Sequence, residues 1–426
     1  MRSLKIEGGA PIRGEVTIGG NKNAALPMIA ACILTDEPIV LRNLPDILDV
    51  RSMLDIAREL GAEAEFADNT LRFHCPKLMK TEVSREQCSR NRTSFLFAAP
   101  LLARGKAATL YPPGGDVIGR RRLDGHLYGL RKLGAELVFD DAYRFTLPDG
   151  LVGRELFLDE ASVTATEQIL LAAVTARGTT ILYNAACEPH VADLADMLNA
   201  MGGRISGHGS NTITIEGVAK LHGVDYSVVG DHIEAGSFIA LGAACGGELV
   251  IKGTSAARHY WMIRRVFERL GVKLELYPDY IRLPGGQDLR VENDFGGHTP
   301  VLSDGTWPQF PSDMMSCTIV TATQSQGSTL FFEKMFESRL YFVDRLIGMG
   351  ANAIVCDPHR VVISGRSKLS AVTMSSPDIR AGMAMVIAAM CARGTSTIHS
   401  ADIIYRGYEN LVAKLTGIGA KISEMQ

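Results

Sequence analysis

The sequence has few of the features that mark membrane-spanning, secreted or nucleic-acid-binding proteins. Its 426 residues include 44 basic and 47 acidic ones, and a formal net charge of −3 argues against nonspecific binding to nucleic acid. Its apolar runs are too short or too rich in glycine to span a bilayer, and the first residues lack the apolar stretch of a signal peptide. We therefore expect a cytoplasmic protein with neither a membrane nor a nucleic acid as partner.

Cysteine is also sparse, and its spacing lacks the pattern of a metal site. The eight cysteines form no Cys-x-x-Cys pair and mostly lie in apolar runs, at Cys32, Cys75, Cys88, Cys187, Cys245, Cys317, Cys356 and Cys391. Such a distribution is typical of reduced core residues in a cytosolic protein. We predict that they pack in the core and hold neither a metal nor a disulfide.

A short motif, hydrophobic residue then glycine then small residue, recurs six times at nearly regular intervals. The six glycines are Gly61, Gly134, Gly202, Gly271, Gly350 and Gly419, at intervals of 73, 68, 69, 79 and 69 residues. Glycine at such a point ends a helix in the left-handed conformation and lets the chain turn into a strand. The repeat predicts six copies of one unit, and the length favours two domains of three units each.

Each unit reads as helix, strand, helix, strand, strand, with one more strand leading in. The first helix follows a polar turn and is almost uniformly apolar, as at 24–32 and at 314–321. Alternating strands follow a glycine, most clearly at 178–182, 247–251, 327–331 and 394–398. Because the first helices are apolar on all sides, we place them inside and the sheets outside, which makes an α/β (α+β) architecture.

Charged residues recur at matched places in these units, before the first helix or in the loop after its first strand. Five of them are basic: Lys22, Arg92, Arg121, Arg339 and Arg406. Helix N-termini combined with lysine and arginine form anion sites, so the set favours a polyanionic ligand. The alternative for each single residue is a structural role at a helix end.

Four motifs carry a resemblance to a known family: GGNKNAALP at 19–27, PGGDVIG at 113–119, FPSDM at 310–314 and RGYE at 406–409. Together and in this order they resemble UDP-N-acetylglucosamine enolpyruvyl transferase, which is grouped with 5-enolpyruvylshikimate-3-phosphate synthase. The resemblance implies an inside-out α/β barrel with two three-unit domains. One domain would span 21–230 and carry a lid loop at 111–122, and the other would combine 1–20 with 231–426.

The implied reaction transfers an enolpyruvyl group from phosphoenolpyruvate to the 3-hydroxyl of UDP-N-acetylglucosamine and releases phosphate, without a metal or an organic cofactor. It opens peptidoglycan precursor synthesis. The resemblance implies that Lys22, Arg121 and Arg406 hold the phosphate. It implies that Arg339 and Arg380 take the carboxylate through paired hydrogen bonds, with Arg92 nearby.

The resemblance also assigns the groups around the acceptor. Asp313 is the expected base at the sugar hydroxyl, and its alternative role is the N-cap of a helix that begins at Met314. Asp378 orients the reacting groups or, alternatively, only caps a helix. The expected nucleotide contacts are Asn23 to the sugar, Asp124 to the uracil, and Ser162, Val163 and Thr164 at the diphosphate.

Asp116 is the main departure from the family pattern. Many members have a cysteine there, which the epoxide antibiotic fosfomycin alkylates, and some natural members have aspartate. A carboxyl group with a raised pKa can protonate C3 of phosphoenolpyruvate without offering a soft nucleophile. We therefore expect an active enzyme that resists fosfomycin.

Further departures leave the acceptor open. Arg122 replaces a proline, Thr164 a common glycine and His232 an arginine, while 304–308 (DGTWP) differs from the usual Pro-His-Pro-Gly. One alternative is enolpyruvyl transfer to another uridine nucleotide in secondary metabolism. Another is a UDP-sugar-binding paralogue without catalysis, against which the full set of cations argues. Shikimate 3-phosphate is the least favoured acceptor, because the Asp116 and Asp313 motifs follow the sugar-nucleotide branch.

Overall fold

The computed structural model describes residues 2–115, 118–119 and 121–425. Within them the strands are β1 Ser3–Glu7, β2 Arg13–Thr17, β3 Ile39–Arg42, β4 Glu63–Ala67, β5 Thr70–His74, β6 Ala107–Leu110, β7 Glu136–Phe139, β8 Tyr143–Thr146, β9 Glu155–Phe157, β10 Thr179–Tyr183, β11 Arg204–Ser206, β12 Thr212–Glu216, β13 Asp225–Ser227, β14 Glu248–Lys252, β15 Glu275–Leu276, β16 Tyr280–Leu283, β17 Val301–Ser303, β18 Gly327–Phe332, β19 Ala353–Asp357, β20 Arg360–Gly365, β21 Thr373–Ser375, β22 Thr395–His399 and β23 Lys421–Met425.

The α-helices of the same residues are α1 Lys22–Ala31, α2 Leu48–Glu59, α3 Arg85–Arg90, α4 Ala98–Gly105, α5 Asp124–Lys132, α6 Val163–Ala173, α7 Pro189–Ala200, α8 His232–Ala244, α9 Trp261–Arg269, α10 Ser312–Gln324, α11 Val343–Gly348, α12 Ile379–Cys391 and α13 Leu411–Gly417. Short 3₁₀ helices lie at Cys32–Leu34, Arg92–Phe97, Ala257–Tyr260, Phe295–Gly297, Arg339–Phe342 and Ala401–Arg406. Helix, strand, helix, strand, strand therefore recurs along the chain.

All six predicted glycine turns are present. Their φ angles are +110° at Gly61, +114° at Gly134, +96° at Gly202, +84° at Gly271, +100° at Gly350 and +96° at Gly419. In every case the residue before the glycine is buried and ends a helix. The sequence motif thus predicted both the repeat and the backbone conformation that produces it.

The chain divides into two compact units. The first unit comprises Gly20–Gly115 and Arg121–Val229, and the second comprises the remaining described residues. Each unit has its own buried apolar cluster. At this chain length two cores are expected, because a single core stops growing beyond roughly 250–300 residues.

The first unit contains three sheets, with strand orders β13-β3-β5-β4, β11-β12-β10-β9 and β6-β8-β7. In two of them the edge strand is parallel to its neighbour, β13 to β3 and β9 to β10, while the other pairings are antiparallel. Every residue of α1 except Asn23 is buried, and α6 packs against α4. The apolar helices therefore lie inside this unit, covered by sheets.

The second unit repeats the arrangement with strand orders β21-β22-β1-β23, β15-β16-β14-β2 and β17-β18-β20-β19. All but the last residue of α8 and of α12 are buried, and α10 packs against both helices. Sheets whose buried residues alternate with exposed ones surround these helices. The predicted α/β architecture of two domains with internal helices is confirmed.

Two details differ from the sequence-based predictions. The first helix begins at Lys22 rather than Ala24, because Asn21 is its N-cap and accepts hydrogen bonds from the amides of Asn23 and Ala24. The cysteines are free thiols, but Cys356 on β19 is exposed and packs in no core. The sulfur atoms of Cys245 and Cys391 lie 3.5 Å apart.

No helix of the described residues is long and apolar enough to cross a membrane.

Candidate active site

In the first unit, Lys22 is the first residue of an internal helix and is 8% exposed. Its Nζ atom lies 2.7 Å from Oδ2 of Asp49, a buried residue in the first turn of α2. Asn91 donates its side-chain amide to the carbonyl oxygen of Asp49 over 3.4 Å, so this pair lies beside the turn that holds Arg92. The ion pair fixes the lysine ammonium at the helix N-terminus, where the backbone dipole also favours an anion.

Arg92 and Arg121 form a cationic pair in the same unit. Arg92 begins the 3₁₀ helix after Asn91, and its guanidinium donates to the carbonyl oxygen of Arg122 over 2.7 Å. Burial, and next the charge of Arg121, lower the pKa of Arg92 to about 10. Two cations that disfavour each other in a partly buried place gain from a bound anion. The structure thus brings both predicted arginines together.

The predicted nucleotide residues Asp124, Ser162, Val163 and Thr164 lie at the starts of two helices of the same unit. Asp124, the exposed first residue of α5, receives two hydrogen bonds of 2.7 and 2.8 Å from Arg122, the residue that replaces the family's proline. Ser162 is the N-cap of α6, which Val163 begins, and accepts from the amide of Ala165. Ser162 thus caps α6, whereas the carboxylate of Asp124 is paired with Arg122.

Thr164, the second residue of α6, uses its hydroxyl within the protein. It lies 2.9 Å from Nε2 of His126, which is 3% exposed. Burial, and next the charge of Arg92, lower the pKa of His126 to about 3, so the ring is neutral at physiological pH. The substitution of threonine for glycine is therefore accommodated by a hydrogen bond to a neutral histidine.

In the second unit, Asp313 accepts hydrogen bonds from two arginines. Arg380 donates from Nε over 3.1 Å and from Nη2 over 2.9 Å, and Arg339 donates from Nη2 over 3.1 Å. Both arginine side chains are buried, while the side chain of Asp313 is 31% exposed. The structure brings these three predicted residues into one cluster.

The alternative role of Asp313 as a helix N-cap is wrong. Helix α10 begins at Ser312 after Pro311, so Asp313 lies within the first turn, and no side chain caps this helix. Asp378 does cap α12, since its Oδ1 accepts from the amides of Arg380 and Ala381 over 2.8 and 2.9 Å. The cap positions Arg380 at the start of the helix that carries it.

Tyr408 contacts Arg380, one of the two arginines that bind Asp313. Its hydroxyl lies 3.4 Å from Nη1 of Arg380 and 2.8 Å from Oγ of Ser237 on α8, and its ring lies under the guanidinium. Arg406 ends the 3₁₀ helix two residues earlier. The RGYE motif thus contributes a buried tyrosine that holds Arg380, which the sequence analysis did not assign.

Two departures from the family pattern contact each other in the second unit. The rings of His232 and Trp307 meet edge to face, 5.8 Å between centroids. Burial lowers the pKa of His232, which begins the internal helix α8. The two replacements therefore form one packing unit rather than two independent changes.

Asp116, the predicted acid, lies outside the described residues. Of the predicted lid at 111–122, Ile118 and Gly119 belong to the second unit, where the carbonyl oxygen of Ile118 accepts from the amide of Ser338 over 3.2 Å. This contact lies next to Arg339 in the sequence.

Sequence reasoning missed Asp49, Glu333 and Tyr408, which contact predicted site residues. Asp49 shows one local signal, an acid in the first turn of a helix, but this signal is common. Glu333 shows none, because its importance depends on burial beside an arginine, whereas Tyr408 lies within the RGYE motif, which does not reveal its contact with Arg380.

Comparison with known proteins identifies the family of this chain. A family model described as EPSP synthase (3-phosphoshikimate 1-carboxyvinyltransferase) matches residues 6–415. The chain belongs to this family. Within the family it is 50% identical to a protein of Borreliella burgdorferi over the full length of both chains, and 51% identical to one of Treponema pallidum over 99% of each. Both relatives are named UDP-N-acetylglucosamine 1-carboxyvinyltransferase.

Solved structures of family members share the fold. The enolpyruvyl transferase NikO from Streptomyces tendae has a TM-score of 0.87 at 22% identity, covering 100% of this chain and 99% of its own. EPSP synthase from Acinetobacter baumannii has a TM-score of 0.77 at 18% identity, with both chains fully covered. At these identities the likeness concerns the fold of the EPSP synthase family and not the acceptor.

Proposed function

We propose that this protein is a UDP-N-acetylglucosamine 1-carboxyvinyltransferase. The observation that carries the proposal is the identity of about 50% over essentially the full chain to relatives of that name. The enzyme transfers the enolpyruvyl group of phosphoenolpyruvate to the 3-hydroxyl of UDP-N-acetylglucosamine and releases phosphate. We include in the proposal that the reaction opens peptidoglycan precursor synthesis in the cytoplasm.

The chemistry is addition followed by elimination. C3 of phosphoenolpyruvate gains a proton while the sugar hydroxyl, losing its own, attacks C2. C3 then loses a proton, and the C2–O bond to phosphate breaks. These steps need a base, an acid and cations that neutralise the phosphate and carboxylate groups.

We assign the anionic groups of phosphoenolpyruvate to the cations named by the family resemblance. Lys22, Arg121 and Arg406 bind the phosphate, and Arg92 supports them. The proximity of Arg92 and Arg121 supports this assignment, since the pKa of Arg92 is lowered partly by Arg121 and an anion relieves that repulsion.

Arg339 and Arg380 bind the carboxylate of phosphoenolpyruvate. Both already hold one carboxylate, that of Asp313, with hydrogen bonds of 2.9 to 3.1 Å. Their guanidinium groups are buried and oriented before the substrate arrives, which lowers the entropy cost of binding it. Asp313 is the base at the sugar hydroxyl, and its partial exposure leaves it accessible to the acceptor.

The remaining assignments concern the acceptor and the acid. Asn23 binds the sugar, Asp124 the uracil, and the start of α6 at Ser162, Val163 and Thr164 the diphosphate, which a helix N-terminus suits. Asp378 positions Arg380 and orients the reacting groups. Asp116 protonates C3.

The test is release of phosphate from phosphoenolpyruvate with a panel of acceptors: UDP-N-acetylglucosamine, UMP and shikimate 3-phosphate. We expect turnover with the first, and turnover with UMP alone would identify a different uridine nucleotide acceptor. Tight nucleotide binding without turnover on any acceptor would identify a sensor and refute the proposal.

The role of Asp313 is tested with a matched pair of variants. Asp313→Asn keeps the shape but removes the base, and we expect kcat to fall by roughly 10²–10⁴. Asp344→Asn, an exposed acid in the first turn of α11, is the control and keeps full activity. Equal activity of both variants would remove Asp313 from the reaction.

A further inference from the structure

The second unit contains two buried carboxyl groups, those of Asp304 and Glu333, and Glu333 lies beside Arg339. Strands β17 and β18 are parallel neighbours, with Ser303 opposite Phe332, so the residues that follow, Asp304 and Glu333, lie side by side. Both are 0% exposed. The amide of Lys334 donates to Oδ1 of Asp304 over 2.5 Å. The parallel pairing therefore brings two fully buried acids together.

Glu333 is held by donors on one side. Its Oε1 accepts from the amides of Met335 and Phe336 over 3.2 and 3.1 Å, and the hydroxyl of Ser312 lies 2.9 Å from both of its oxygens. Ser312 directly precedes Asp313 at the start of α10. These contacts fix the carboxyl plane and leave Oε2 facing Arg339, whose Nε is 3.8 Å away.

Two buried polar atoms of this cluster have no hydrogen-bond partner among the described residues. They are Oδ2 of Asp304 and Nε of Arg339. A proton on Glu333 gives Asp304 the donor it lacks. Burial, and next the hydrogen bond and charge of Asp304, raise the pKa of Glu333 to about 9, against the opposing effects of Arg339 and Ser312.

We propose that Asp304 and Glu333 share one proton and together act as a positioning pair for Arg339, limiting the negative charge beside its guanidinium to one unit. The inference rests on the proposed function, in which Arg339 binds the carboxylate of phosphoenolpyruvate. With the proton in place, Arg339 keeps more of its attraction for the substrate. Loss of the proton adds a second negative charge in a buried place and weakens that attraction.

The charged and titratable groups around Glu333 come from every neighbouring element. Asp304 follows β17, Asp313 lies on α10, and Arg339 lies on its 3₁₀ helix. His359, after β19, has Nδ1 2.7 Å from the backbone carbonyl oxygen of Glu333. The ammonium of Lys334 lies 5.7 Å from the ring of Phe332. Among these, only Asp304 shares a proton with Glu333 in the proposal.

Glu333→Gln tests the pair, because a glutamine mimics the protonated acid. Its oxygen accepts from the two amides, and its NH₂ group donates to Asp304. We expect the wild-type KM for phosphoenolpyruvate to rise by about tenfold between pH 7.5 and 10 through the added charge, with a smaller change in kcat. In Glu333→Gln this part of the rise is absent, and the KM at pH 7.5 stays close to that of the wild type.

Asp304→Asn is the second variant. It leaves a single acid, which carries at most one negative charge at any pH, so its KM for phosphoenolpyruvate at pH 10 stays below that of the wild type at pH 10. Glu275→Gln, which removes a half-buried acid on β15 that pairs with Arg282, is the control and keeps the wild-type pH profile. An alkaline rise of the wild-type size in Glu333→Gln, or a KM of Asp304→Asn at pH 10 as high as that of the wild type, overturns the proposal.

A spectroscopic readout separates this inference from the proposed function. Infrared spectra at pH 7.5 show the C=O stretch of a protonated, buried carboxyl group in the wild type, and the band is lost in Glu333→Gln. Absence of the band in the wild type overturns the inference whatever the enzyme turns over. Presence of the band in a protein without enolpyruvyl transfer refutes the proposed function alone.

Discussion

The ammonium of Lys22 lies 2.7 Å from a carboxylate oxygen of Asp49, and both side chains are buried. A lysine at the first position of a buried helix is costly unless a charge compensates it. Asp49 supplies that charge from the neighbouring helix α2. The pair keeps a cation ready at a helix N-terminus, the place where a phosphate is bound most readily.

From this ion pair we expect that a double substitution can restore the stability of the protein without restoring its activity. Asp49→Asn leaves a buried charge without its carboxylate, and we expect the free energy of unfolding to fall by about 3 kcal/mol or more. Replacing both residues, Lys22→Met with Asp49→Leu, recovers most of this loss in urea unfolding. The double variant nevertheless lacks turnover, since the phosphate has lost its lysine. Normal turnover in the double variant contradicts the role of Lys22.

The glycine turns predict opposite effects of two neighbouring substitutions. Gly350 has φ +100° and a carbonyl oxygen 3.2 Å from where a Cβ would lie, so Gly350→Ala lowers the free energy of unfolding by about 1 kcal/mol or more. Gly348 ends α11, with nothing within 4 Å of its Cβ position. Gly348→Ala is neutral or stabilises by up to about 1 kcal/mol. Urea unfolding measures both, and equal destabilisation contradicts the turn assignment.

His126 predicts a loss of stability in acid. Its pKa is about 3 in the folded protein, against about 6.5 in the unfolded chain, so the unfolded state binds more protons between these values. Stability therefore falls as the pH drops from 6.5 towards 3, by an amount on the order of a few kcal/mol.

The matched variants are His126→Gln and His222→Gln, which remove a buried and an exposed histidine. Urea midpoints measured at several pH values show a shallower acid slope for His126→Gln and an unchanged slope for His222→Gln. An unaltered slope in the former shows that His126 is not the group that titrates.

Asp116 predicts resistance to fosfomycin. A carboxylate lacks the soft nucleophile that opens the epoxide, so we expect no time-dependent covalent inactivation of the pure protein. Asp116→Cys is the matched variant and becomes sensitive, with a mass increase equal to one drug molecule. Inactivation of the wild-type protein with the same mass increase rules the prediction out.

The sequence was sufficient for the fold because its periodic signals are local. Gly61 and its five counterparts need a left-handed conformation wherever the unit repeats, and the apolar helices such as α12 need burial on every side. The first residues of helices were less predictable, because each depends on one N-cap residue, Asn21 for α1 and Pro311 for α10.

The candidate site was predictable only where a motif, a repeated position or the family resemblance names a residue. Lys22 and Asp313 lie in motifs, Arg92 holds a matched place in a repeated unit, and Arg380 follows from the resemblance alone. The structure groups them within their own units. Asp49 and Glu333 did not follow, because their partners are distant in sequence and because the pKa of Glu333 depends on burial that no local pattern reports.

The most direct test of the account is the product formed from carbon-13-labelled phosphoenolpyruvate and UDP-N-acetylglucosamine. We expect one phosphate released per molecule of UDP-N-acetylglucosamine consumed, with the labelled enolpyruvyl group bonded through the sugar's 3-oxygen in the carbon NMR spectrum. Unchanged labelled phosphoenolpyruvate after prolonged incubation with folded protein and both substrates would contradict the account.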